Sequence, residues 1–385
     1  MTDPGTTEAD SGASSTASIR TRRRRWPRWA ALGAAVLVLA SAATSWSLYR
    51  KLDGNIRTDA GTAQALAPYE KERPTPVRSA QEARNILVLG SDNRGDGNGA
   101  YGHDEGSQRS DTAILLHIAA DGRGATGMSI PRDLMVDIPD CRKPDGSATA
   151  PQFAQFNWAF QRGGAACTIR TVEKLTGIRV DHHLVVDFNG FKKLVDAVDG
   201  VEVCLAEPVH DREAKLDLPA GRQTLDGEDA LGYVRARHGL GNGSDTQRIE
   251  RQQRFLGSLV KKVRSNGVLL NPTRAYPVLD AATSSLTADS GLDSLSELYE
   301  LVRSVRDIPE DHIRFLTVPR QSYKLDINRD ELVQPAAEEL FTKLREDSPV
   351  AVGGGGAKKK DGKEKTAGSY RGTTADLDIC ANTAR

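Results

Sequence analysis

The chain has 385 residues and is 38% hydrophobic, below the roughly 45–50% of a typical globular domain. Its 52 basic and 52 acidic side chains cancel, which argues against a protein built mainly to coat nucleic acid. The apolar deficit sits at the two ends, in a Gly/Ser/Thr-rich opening and a Lys-rich close, and the middle has the composition of a core-forming domain.

Arg20, Arg22, Arg23, Arg24, Arg25 and Arg28 precede an uncharged run from Trp29 to Tyr49. As a helix rising 1.5 Å per residue, that run matches a hydrocarbon core of about 30 Å. Trp26 and Trp29 at one end and Trp46 and Tyr49 at the other fit interfacial aromatics. The Arg block favours a cytoplasmic N-terminus, and Arg50 and Lys51 beyond the run weaken that bias without reversing it. Ala40-Ser41-Ala42 resembles a signal-peptide cleavage site, but the apolar run continues past it to Trp46 and Leu48. A basic nucleic-acid-binding tail is a further alternative, disfavoured because Arg beside a membrane span already has a reason to be there.

The expected organisation is a cytoplasmic basic tail (1–28), a transmembrane anchor (29–49), a linker with a short helix (50–84), an extracytoplasmic domain (85–346) and a flexible C-terminal tail (347–385). The domain opens on a continuous apolar run, Asn85–Gly90, which fits a strand buried on both faces. Further strands are expected at Thr112–Ala119, Ala125–Ile130, His183–Phe188, Val201–Leu205 and Ile313–Val318. Helices are expected at Phe153–Phe160, Thr168–Leu175, Phe191–Val198, Glu228–Arg237, Asp245–Arg264, Ser294–Val305 and Glu331–Leu344. Strands alternating with helices imply an α/β fold of three layers, α/β/α, around a central sheet.

Cys141, Cys167, Cys204 and Cys380 lack zinc-site spacing. Outside the cell, disulfides are permitted. Cys141 and Cys167 flank one polar excursion and pair first. A Cys204–Cys380 bridge would pin the tail, with a small buried Cys204 as the alternative, and four cysteines allow three connectivities.

Asp92 follows the first strand, Asp111 precedes the second, Arg132 follows the third, and Asp245 opens the long helix. Ligands of open α/β sheets bind beyond the carboxyl ends of strands. Carboxylates there beside Arg suit a divalent cation bridging to phosphate oxygens, whereas any one Asp alone reads as a turn or cap residue. The cationic set is Arg109, Arg132, Arg235, Arg237, Arg248, Arg251 and Arg254. Asp245, Arg248 and Gln252 share a helix face, while Arg251 and Arg254 read equally as surface residues. The sequence carries no phosphate-binding Gly-Lys-Ser/Thr loop, no HExxH and no GxSxG.

At these residues the chain resembles the LytR–CpsA–Psr (LCP) family. The resemblance runs through Leu87-Val88-Leu89-Gly90-Ser91-Asp92, Arg109-Ser110-Asp111-Thr112 and Ser129-Ile130-Pro131-Arg132-Asp133. It continues through Asp196-Ala197-Val198-Asp199-Gly200, Leu225-Asp226-Gly227-Glu228, Val234-Arg235-Ala236-Arg237 and Asp245-Thr246-Gln247-Arg248-Ile249-Glu250-Arg251-Gln252-Gln253. It implies an LCP-type domain with a mixed sheet, and a membrane-bound phosphotransferase. Such an enzyme moves a glycopolymer from a polyprenyl-pyrophosphate carrier to peptidoglycan through a phosphodiester, in cell-wall assembly. Asp92 and Asp111 would hold Mg²⁺ or Mn²⁺. Arg109, Arg132, Arg235, Arg237 and Arg248 would clamp the pyrophosphate, with Asp245 and Gln252 supporting them. The stretch between Asp92 and Arg109 is longer than the family pattern. The alternatives are a polyprenyl-pyrophosphate phosphatase and a non-catalytic envelope regulator. No nucleic-acid partner is expected.

Overall fold

A computed structural model describes residues 26–91, 110–143, 145–236, 245–265, 272–353, 369–377 and 380. The chain divides into two units, 1–50 and 51–385. Helix α1 (Trp26–Asn55) is long and apolar enough, from Arg28 onward, to cross a membrane, and its large side chains from Trp29 to Tyr49 are exposed.

The second unit is built on a nine-stranded mixed sheet. In chain order its strands are β1 (Arg57–Thr58), β2 (Arg84–Ser91), β3 (Ser110–Ile118), β4 (Ala125–Ile130), β5 (His182–Asp187), β6 (Leu286–Ala288), β7 (Ile313–Thr317), β8 (Ala351–Gly353) and β9 (Ser369–Thr374). In space they run β1-β6-β5-β2-β3-β4-β7-β9-β8. β2 pairs parallel with β5 and antiparallel with β3, and β4 pairs parallel with β7. The central strands are apolar on both faces because both are covered. Leu87 and Leu89 enter one core with Phe156, Phe160, Leu340 and Phe341, from α3 (Asn157–Thr176), the residue before it, and α9 (Ala336–Arg345). Ile86 and Val88, one residue out of phase, enter a second core with Leu298 and Leu301 of α8 (Leu295–Arg306) and Leu256 of α6 (Asp245–Ser265). A third cluster joins α4 (Phe188–Ala197), α5 (Gly227–Arg235), α6 and α7 (Pro272–Ser285) with the hairpin of Val201–Leu205 and Gly221–Leu225.

Several elements differ from expectation. Residues 50–84 are more than a linker: β1 extends the sheet, and Asp59 caps α2 (Ala60–Leu66) while meeting His183 of β5. Arg73 further forms a buried ion pair with Glu173 of α3 at 2.8 Å. The segment read as helix from Phe153 begins as a strand, Gln152–Gln155, paired with Met135–Ile138; α3 then runs as two helical stretches broken at Gly163 and Gly164, in keeping with two helices in this region. Gly164 has φ of 62° there, a conformation that favours glycine. Glu331 ends a hairpin (Arg320–Tyr323 with Asp326–Leu332), and α9 starts only after Pro335. Val201–Leu205 is a strand outside the main sheet. The C-terminal tail, expected to be flexible, contributes β8 and β9. The cysteines pair as Cys141–Cys167 and Cys204–Cys380.

Candidate active site

Sheet register gathers the carboxyl ends of β2, β4, β5 and β7 and the start of β3 along one edge. Ser91 lies opposite both Ser110 and Asp187, and Ser129 opposite Thr317. Arg132 leaves this edge two residues after β4. Its Nη1 donates to Asp111 Oδ1 at 2.8 Å and its Nε to Asp133 Oδ2 at 3.2 Å. The other Asp133 oxygen accepts from Gln155 Nε2 at 2.6 Å and faces Arg329 Nη1 at 3.7 Å. Both Asp133 oxygens are therefore engaged, one of them on Arg132. Asp111 has one oxygen on Arg132 and a side chain 38% exposed.

The helices supply the other wall. Arg235 ends α5, its guanidinium 4.7 Å from the Phe188 ring centroid in a cation–π contact. Asp226 caps α5 through the Asp229 N–H, and the Asp196 carboxylate accepts from the Gly227 N–H at 2.7 Å, tying α5 to α4. A side chain at 227 would collide with the Lys192 carbonyl, which explains the glycine. On α6, Arg248 is buried, and Gln252 Nε2 donates to the Val234 carbonyl at 3.1 Å, beside Arg235. Arg251 is buried and donates to the Ala236 carbonyl; burial pulls its guanidinium pKa down. It is thus a structural brace, while Arg254 is exposed. Asp92, Arg109 and Arg237 lie outside the described residues, as does the Asp245 side chain at the first position of α6.

Three further residues escaped sequence reasoning. Gln253 is 1% exposed and donates to Ser129 Oγ (3.2 Å) and Thr317 Oγ1 (2.9 Å), joining α6 to the ends of β4 and β7. Arg320 bonds Thr246 Oγ1 in the first turn of α6 at 2.6 Å and ion-pairs with Asp330, whose N–H donates to the Asp133 carbonyl at 3.0 Å. Asp133 and Gln253 stand in the sequence as members of larger motifs, without a signal of their own. A signal for Arg320 existed: the parallel neighbours β4 and β7 end alike, in Ile130-Pro131-Arg132 and Val318-Pro319-Arg320.

Among the described residues no group of three or more His, Cys, Asp or Glu side chains is arranged to hold a metal. Asp111 itself suits a hard cation, as an accessible carboxylate oxygen donor at the sheet edge. A cavity of about 230 Å³ lies under α3, where Phe160, Ala165, Val185 and Leu286 line it together with Ser91 and Asp187. The apolar faces of α6 and α4 do not line it: Phe191 and Phe255 pack ring to ring at 5.5 Å in the third core cluster.

Residues 51–346, over three quarters of the chain, match the LytR–CpsA–Psr family. The chain belongs to that family. Among LCP proteins it is similar to the cell wall biosynthesis protein LcpA of Corynebacterium glutamicum, with 36% identity over 63% of this chain and 51% of LcpA. The chain therefore spans about half the length of that relative. TagU of Enterococcus faecalis, named a polyisoprenyl-teichoic acid–peptidoglycan teichoic acid transferase, is 32% identical over 66% of this chain and 74% of its own. An LCP enzyme from Actinomyces oris shares the fold, with a TM-score of 0.56 and 23% identity over 71% of this chain and 93% of the other.

Proposed function

We infer that this chain transfers a glycopolymer from a polyprenyl-pyrophosphate carrier to peptidoglycan, leaving a phosphodiester link. The observation that carries the reading is Arg132, held at the sheet edge between the Asp111 and Asp133 carboxylates, with α6 tied to the same edge through Gln253 and Arg235 stacked on Phe188 just past β5. The names of TagU and LcpA support it. An acceptor sugar hydroxyl attacks the phosphorus nearest the glycan and gives its proton to a carboxylate or to water; the bond from that phosphorus to the bridging oxygen breaks, and the oxygen leaves on the lipid-linked phosphate as polyprenyl phosphate. Such a reaction calls for positioning and charge neutralisation rather than a covalent nucleophile. Arg132 and Arg235, with Arg109, Arg237 and Arg248, clamp phosphate oxygens, and Gln252 and Asp245 support them. Asp111 and Asp92 would hold Mg²⁺ or Mn²⁺, which when bound neutralises the pyrophosphate.

In this reading α1 crosses the membrane once with its N-terminus in the cytoplasm, the side favoured by the upstream Arg block. The domain then lies outside, where its disulfides persist. The test incubates the full chain in nanodiscs with a short polyprenyl-pyrophosphate glycan, Mg²⁺ and a peptidoglycan fragment. Glycan is expected on the fragment, and its loss with a chelator or in Arg132→Ala supports the reading. Release of phosphorylated glycan without transfer would make the protein a phosphatase. Lipid binding without turnover would make it a regulator.

A further inference from the structure

The family match ends at residue 346, yet the chain beyond it is built into the sheet. β9 pairs with β7 (Arg314 with Thr374, Leu316 with Gly372) and covers an edge that would otherwise expose unpaired backbone groups. A side chain at 372 would collide with the Phe315 carbonyl, so the two strands are seated without room to spare. Ala375, just past β9, is buried and its N–H donates to the Ile313 carbonyl at 3.0 Å.

The same segment lies along α6. Arg371 ion-pairs with Glu250, and the Ala375 Cα would stand 3.5 Å from a Cβ at Gly257. Glu250 sits two residues from Arg248 and two from Gln252. On its other flank α6 packs through Phe255 into the cluster of Val201, Val203 and Leu205. Cys204 of that strand is bonded to Cys380, six residues past the end of β9. The helix that carries Arg248 and Gln252 is thus held between two strands whose chains are covalently joined.

We propose that residues 369–377, together with Cys380, form a clasp that positions α6, with the Arg371–Glu250 pair and the Cys204–Cys380 bridge as its two fastenings. Arg371 and Glu250 are positioning residues: they act through the placement of Arg248 and Gln252. The proposal rests on reading Arg248 as a pyrophosphate contact and Gln252 as its support. A misplacement of about 1 Å costs on the order of a hundredfold in rate, so a helix with a loose flank is a catalytic liability.

The test compares full-length wild type with Arg371→Ala, Arg371→Lys, Cys380→Ser and the charge swap Glu250→Arg/Arg371→Glu in nanodiscs. Two readouts are taken well below each melting temperature: kcat and KM for transfer, and the Kd for inorganic pyrophosphate with Mg²⁺ by calorimetry. Arg371→Ala and Cys380→Ser are expected to lower kcat by about tenfold or more and to weaken pyrophosphate binding, with Arg371→Lys and the swap restoring most of both. A merely structural role would lower melting temperature alone. Variants that keep wild-type kcat, KM and Kd would overturn the clasp. Wild type without transfer would sink the transferase reading, and the Kd comparison would still decide the clasp, unchanged values overturning it. The swap, which keeps both side chains large and charged, decides the matter if Cys380→Ser does not fold.

Discussion

Arg132 is fixed by two carboxylates reached through different nitrogens, Nη1 to Asp111 and Nε to Asp133. Only a planar guanidinium makes both contacts at once through a fixed fork of donors, whereas a lysine ammonium is a point charge. Arg132→Lys is therefore expected to keep the fold but lose roughly a hundredfold in kcat, by analogy with removing one oxyanion donor. Steady-state transfer kinetics beside a melting curve checks this, and near-wild-type turnover would show that charge alone suffices. Gly227 carries a different kind of constraint. Its Cα faces the Lys192 backbone, so Gly227→Ala must push α5 off α4. A loss of about 1–3 kcal/mol in denaturant unfolding is expected, together with a weaker Arg235 contribution to pyrophosphate binding.

At the scale of elements, α2, β5 and the turn after β6 meet in a carboxylate–histidine cluster. Burial works to raise the Asp59 carboxyl, but hydrogen bonds with His183 and Thr62 outweigh it and hold it at about 2, against an ordinary 3.8. That difference is worth on the order of 2 kcal/mol. Because the folded value is depressed, this stability is present above the unfolded value and is lost as pH falls from about 4 toward 2. His182 has the opposite sign. Its hydrogen bond with Asp289 outweighs burial and raises it above 6.5, so its contribution is full below that value and is lost as pH rises through the folded one. Thermal unfolding from pH 2.5 to 9 is expected to show both limbs. Asp59→Asn should flatten only the acid limb, while Asp289→Asn should act on both, since Asp289 is itself depressed by hydrogen bonds from His182 and the His183 and Gly291 backbone. Identical profiles for wild type and Asp289→Asn would remove the cluster from the account.

Which elements the sequence revealed follows from burial. β2 carries a continuous apolar run enclosed on both faces, a pattern that hydropathy reports directly, and β4 and β7 place Met128, Ile130, Ile313, Phe315 and Leu316 in the core. β1, β6 and β8 are two or three residues long and owe their existence to the partner strand, so no local periodicity marks them. The strand Gln152–Gln155 is likewise imposed by pairing with Met135–Ile138. In the site, Asp111 and Arg132 were legible because strand ends expose them. Gln155 and Gln253 were not, because their partners are 22 and 124 residues away.

For the whole molecule, the structural unit starts well before the first long strand. Residues 51–84 supply β1, the Asp59 contact with His183, and Arg73, which bonds Glu173 through Nε and Nη2 and also donates to the Val180 carbonyl at 2.6 Å. Glu173 is buried on α3, and removing one partner of a buried ion pair costs roughly 3–5 kcal/mol because the other charge is stranded. A chain starting at residue 85 would strand Glu173, leave the β6 edge unpaired and remove a cap of the His183 cluster, whereas one starting at residue 51 keeps all three. Such losses together are comparable to the roughly 5–15 kcal/mol that stabilises an ordinary domain. The shorter chain is therefore expected to be aggregated or to show no cooperative melt, and the longer one to melt in a single transition. Restoring residues 51–84 with Arg73→Ala should recover only part of the difference. A cooperative melt of the chain from 85 at the same temperature as the chain from 51 would show that residues 51–84 are a tether rather than part of the fold.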